Sequence, residues 1–176
     1  MTGEETFHPD TRALLVYGRA LAGGRETPKK GGADQVLERL FVIQRMKDGR
    51  WPLRSFGQEL ITLFGQDLRE RDFATLFLEP DWKLVLALID SCAAAKGPGI
   101  ARVHAETEGG GELGAEILFT PLKIDEHIGE RYLGMFQPLG GEAFLDGRRV
   151  QRLRLGSLHP PYAKPKSPVR LIVSNS

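Results

Sequence analysis

The sequence predicts an α+β fold: a five-stranded antiparallel sheet, helices on one face, and an extra helix at the N-terminus. Three observations carry this. Asp48-Gly49 is a strong hairpin signal between two apolar runs. Short, interrupted helices and one long apolar helix then fill the stretch from Gln58 to Ala95. Three β-prone runs follow with no helix between them. Strands and helices do not alternate one by one, which disfavours a Rossmann-type parallel sheet.

The elements come in this order. Leu14, Tyr17 and Leu21 recur at helical spacing after Pro9, with Asp10 or Thr11 as the expected cap and Gly23-Gly24 as the stop. A polar loop, "RETPKKGGA", leads on. Leu40 to Met46 reads as a strand, and Arg50 to Phe56 as its return. Pro52 makes that return an edge strand or an irregular one. "QELITLFG" is a short helix stopped by Gly65, and Glu79-Pro80-Asp81 opens the long helix. Ile100–Glu106, Leu113–Leu122 and Tyr132–Gln137 are the last three strands. The run "GEAFLDGRRVQRLRLGS" holds a second Asp-Gly and suggests one more hairpin. The expected organisation is a helix and loop over 1–33, a core over 34–139, an extension over 140–158, and a Pro-rich basic tail over 159–176 that is expected to be disordered.

The residues that fill the middle of this order resemble a PAS domain. "FGQELITLFGQDLRERDFATLFLEPDW" carries the resemblance, with Gly65 ending a short helix and Glu79-Pro80-Asp81 stepping into the long one. The chain is more closely similar to a stand-alone PAS family of alphaproteobacteria. The matching positions are His8-Pro9, Thr11-Arg12, the run from Gly57 to Phe77, Arg131 to Leu139, and Leu153 to Ser157. The resemblance implies a sheet cupped by helices and a regulatory role, often through partners such as signalling kinases. It also implies dimerisation through a helix and sheet surface.

Composition points to a soluble protein. The formal net charge is +1, hydrophobic content is 41%, and Cys92 is the single cysteine, so no internal disulfide exists and a reducing, cytoplasmic setting is expected. The N-terminus "MTGEETFHPD" lacks a signal-peptide core, and no apolar run reaches the roughly 20 residues of a membrane span.

Catalytic signals are missing. His8, His104, His127 and His159 share no metal-type spacing, and Cys92 has no CxxC partner. Asp125-Glu126-His127 reads as a solvated loop. "EGGGE" joins two strands rather than a strand to a helix, so it is a turn, not a phosphate cradle. Light-sensing PAS relatives carry an Asn-Cys-Arg-Phe-type motif, and haem-binding ones a histidine on the long helix; both are missing here. No enzyme activity and no cofactor are expected.

Two features remain for function. A cup between sheet and long helix is lined by Phe56, Leu60, Phe64, Phe73, Leu76, Val85, Ile89, Phe119 and Met135, with Arg54, Gln58 and His104 as polar candidates. It is either plain core or a pocket for an unidentified small molecule. Leu118 and Leu122 make the fourth strand apolar on its second face, and Leu14, Tyr17 and Leu21 offer a helix to cover it. A signalling partner or a second copy is the other occupant of that surface. From Gly147 onward seven basic residues meet no acid, but without interleaved aromatics nucleic acid is disfavoured.

Overall fold

A computed structural model of the chain describes residues 3–22, 36–122, 129–140 and 147–161. Helix α1 (Pro9–Ala22) begins where the proline dictates. Pro9 has no N–H to satisfy and a fixed φ, so the residue before it becomes the cap. His8 takes that place, its Nδ1 accepting from the Asp10 N–H at 3.1 Å, rather than Asp10 or Thr11. The Gly23-Gly24 stop lies outside the described residues.

Strands β1 (Leu40–Gln44) and β2 (Leu53–Phe56) form the predicted hairpin, with Gly49 at φ +88° in its turn. The return strand starts later than its apolar residues suggest. Pro52 lacks a donor, so although its carbonyl accepts from the Gln44 N–H at 3.2 Å it stands outside the ladder, in an isolated bridge to Asp72. Helix α2 (Gln58–Phe64) stops at Gly65, which sits at φ +70°. The Asp72 carboxylate then accepts from both Ala74 N and Trp51 N at 3.1 Å, so one side chain starts the next short turn and ties it to β2. Helix α3 (Glu79–Ala95) has Pro80 in its first turn and buries Val85, Leu88, Ile89 and Cys92. Each such aliphatic side chain contributes about 1.5–3 kcal/mol by leaving water.

Strands β3 (Gly99–Thr107), β4 (Glu112–Pro121), β5 (Arg131–Pro138) and β6 (Val150–His159) complete one antiparallel sheet in the order β2-β1-β5-β4-β3-β6. The sheet therefore has six strands, not five. The sixth comes from the C-terminal extension, which pairs with β3 from Ile100 to Thr107. Val150 and Leu153 turn inward while Arg152 and Arg154 face out. The first half of the expected tail hairpin lies outside the described residues.

Both outer edges of the sheet are touched at a few points. Leu53 N–H donates to the Arg71 carbonyl at 2.9 Å, and Glu70 N–H to the Leu53 carbonyl at 2.8 Å. On the far side, Phe77 bridges Leu153, and Leu155 N–H donates to Asp81 Oδ2 at 2.9 Å. Helices α2 and α3 cover one face of the sheet, and α1 covers the other.

Candidate functional site: a filled cup and a covered sheet face

The concave face is packed with rings. Phe41 stacks on Phe73 with centroids 5.2 Å apart, and Phe73 meets Phe119 at 5.9 Å. Trp51 contacts Tyr132 at 5.7 Å and Trp82 at 5.9 Å, while Phe64 lies 5.7 Å from both Phe56 and Phe136. Such spacings are those of closely packed aromatic pairs. Gly134 makes the packing feasible, because a Cβ there would meet Phe41 Cζ at 2.1 Å. Cys92 is buried beneath α3 with Sγ 3.7 Å from the Phe119 carbonyl, and burial pushes its thiol up to about 12. A thiol held protonated is a poor nucleophile. Burial first, then the neighbouring Glu130 carboxylate, likewise holds the Tyr132 phenol protonated.

The structure places the sequence-selected residues in two groups. Leu60, Phe64, Phe73, Val85, Ile89 and Phe119 are buried together in the cup, with Phe56 and Leu76 half-buried at its margin. Met135 and His104 do not join them. Met135 belongs to the cluster under α1, because it has the opposite strand parity to Tyr132 and Phe136. His104 is exposed for the same reason: its neighbours Val103 and Ala105 point inward. Gln58 is exposed, and Arg54 bonds Gln44 at 2.8 Å rather than reaching into the cup.

The opposite face is where α1 sits. Leu14, Leu15, Ile100, Leu118 and Met135 are buried against one another there, and Tyr17 packs on them half-buried. Leu21 and Leu122 are half-buried as well. Gly18 lets the helix approach closely, since its Cβ would stand 3.2 Å from Thr120 Oγ1. Beside this apolar patch lies a charged cluster that sequence reading passed over. Glu116, fully buried on β4, accepts from Arg102 Nε at 3.2 Å and from the His8 N–H at 2.9 Å. Its sequence signal was a lone acid inside the apolar strand "AEILF".

A surface groove of about 680 Å³ opens between α2, the start of α1 and the end of β5, lined among others by His8, Arg39, Leu63, Phe136 and Leu139. Arg39 spans it, bonding Glu59 at 2.8 Å, Asp10 at 3.4 Å and the Gln137 side-chain carbonyl.

The model of the PAS domain matches residues 6–137, which take in α1, both helices of the cup and five of the six strands. The chain belongs to the PAS domain family. A solved structure from work on a flavin analogue and the light-oxygen-voltage domain mechanism aligns at 14% identity and a TM-score of 0.46, over 64% of this chain and 87% of that one. A likeness of that degree assigns neither flavin nor light chemistry to this PAS domain. No curated protein matches the sequence.

Beyond the family match lies β6, whose arginines looked like an electrostatic surface. Two of the arginines, Arg149 just before β6 and Arg154 within it, meet acids at the adjoining ends of β3 and β4. Arg149 pairs with Glu108 at 2.8 Å, and Arg154 pairs with Glu112 and, at 4.0 Å, with Glu106. Cross-strand pairing of this kind lowers the field an arginine run would show to a polyanion. Asp125-Glu126-His127 lies outside the described residues, and no cluster with metal-ligand geometry occurs among the described ones. No described helix is long and apolar enough to cross a membrane.

Proposed function

We propose that this PAS domain is a non-enzymatic signalling regulator that works by protein contact, with a signalling protein or a second copy of itself docking on α1 and the sheet beside it. The carrying observation is the filled cup: Phe41, Phe73, Phe119, Trp51, Trp82 and Tyr132 occupy the space between sheet and α3 with their own rings. Val16, outward on α1, is 55% exposed, and Tyr17, Leu21 and Leu122 are partly open beside it. Apolar groups left at a helix–sheet junction favour a macromolecular partner. The setting proposed is the cytoplasm, in keeping with a lone reduced cysteine.

Native mass spectrometry beside the denatured mass tests this reading. A mass equal to the polypeptide, or twice it, supports contact as the output. A fixed excess lost on denaturation overturns it in favour of a small-molecule sensor. That second reading has one observation behind it, the groove of about 680 Å³ at Arg39, a volume within the usual range of ligand sites.

A further inference from the structure

We propose that α1 and the C-terminal end of β6 form one latch, joined through Phe7, Arg102, Glu116 and His159, so that lifting α1 from the sheet also frees the end of β6. The chain of contacts starts at Glu116, which is 0% exposed and spends each carboxylate oxygen on a different element. Oε1 accepts from the His8 N–H at the head of α1, at 2.9 Å. Oε2 accepts from Arg102 Nε on β3, at 3.2 Å. The same guanidinium reaches back to the N-terminal segment, donating from Nη2 to the Thr6 carbonyl at 2.8 Å.

Phe7 closes the circuit. Its ring lies 4.9 Å from the Arg102 guanidinium carbon and meets the His159 ring edge-on at 5.0 Å and 87°. His159 is in turn fixed by Ser157 Oγ at 3.0 Å, and both belong to the stretch of β6 that pairs with Ile100 and Arg102.

These parts cannot part singly. A buried carboxylate that loses one partner leaves an uncompensated charge, so departure of α1 draws water to Glu116 and loosens Arg102. Phe7 leaves with α1 and takes away the surface on which His159 rests. The residues beyond His159 include Lys164, Lys166 and Arg170. An event at α1 is thereby passed to the end of β6, the point from which that cationic sequence continues. This goes beyond docking on α1, because it names a second place that responds, and it holds whatever does the lifting.

Hydrogen–deuterium exchange on the full chain, alone in solution, tests the latch. Leu14→Asp disrupts the apolar seat of α1 and is not one of the four latch residues. Amides of α1 and of residues 157–159 are both expected to exchange at least about tenfold faster, with α3 unchanged. Fast exchange in α1 with residues 157–159 still protected overturns the proposal. His159→Ala reads the link from the other end, since coupling is reciprocal. It should speed exchange in α1, and an unchanged α1 overturns the proposal even if Leu14→Asp fails to fold. Because no partner is added, these results stand apart from those on docking.

Discussion

Gly134→Ala is the sharpest test of the packing described here. Gly134 faces Phe41 across the β1–β5 pair, and the far end of the Phe41 ring sits over it. An added Cβ would stand 2.1 Å from Cζ and 2.3 Å from Cε2, well inside contact distance. The ring must move, and Phe41 is fully enclosed by Phe73 at 5.2 Å and Phe119 at 6.2 Å. Overpacking of a tight core costs about 1–3 kcal/mol. Disturbing two aromatic contacts adds about 0.5–1.5 kcal/mol each. We expect a loss near 3 kcal/mol, which for a chain of this size lowers Tm by roughly 6–12 °C. Urea unfolding followed by tryptophan fluorescence measures it. Phe41→Leu in the same chain should recover at least about 1 kcal/mol of the combined loss, because the smaller side chain makes room. A Gly134→Ala protein within about 0.5 kcal/mol of the parent would refute the argument that this glycine is required by the ring above it.

Further outcomes follow from the site. Glu116→Ala strands Arg102 and the His8 N–H; as the Arg102 side chain is partly open to water, we expect a loss of about 2–3 kcal/mol in urea unfolding, and less than half that for Glu116→Gln. Cys92, pushed up to about 12 by burial, should resist a thiol reagent at pH 8 in the folded protein and react fully in urea; rapid labelling of the native state would contradict its place under α3. His159 has its pKa lowered from 6.5 by burial and by Arg102, so below about pH 6.5 the unfolded chain binds more protons there than the folded one. Stability should therefore fall on acidification through that window. His159→Gln should flatten part of the decline in Tm measured from about pH 8 to 5, and an identical slope in both proteins would count against the seat on Phe7.

Much of this architecture was written in local chemistry. Asp48-Gly49 located the first hairpin, Gly65 the end of α2, and Pro80-Asp81 the start of α3, because each restricts backbone angles whatever its surroundings. Facing was less legible. Where β4 and β5 are covered on both sides, apolar residues fill both parities, and the alternation that orients a strand disappears. Hence Met135 read as cup lining although it lies under α1. The second Asp-Gly hinted at a hairpin there, but the place of β6 in the sheet was hidden, because Arg154 looks like part of a solvated run until Glu106 of β3 and Glu112 of β4 stand beside it. The Glu116 cluster joins residues more than 90 positions apart, as from Arg102 to Thr6, and no local pattern announces such contacts.

The pairing of β6 on β3 bears on where the protein can be cut. The family match ends at residue 137, before β6 begins. A fragment trimmed to that boundary would strip β3 of one of its two neighbours and leave a nine-residue strand, Gly99–Thr107, with the amides and carbonyls of that side bare. Bare strands of that length recruit one another, so the trimmed fragment should precipitate or self-associate where the longer chain stays dispersed. The stretch that the PAS model matches is thus shorter than the stretch that completes the sheet.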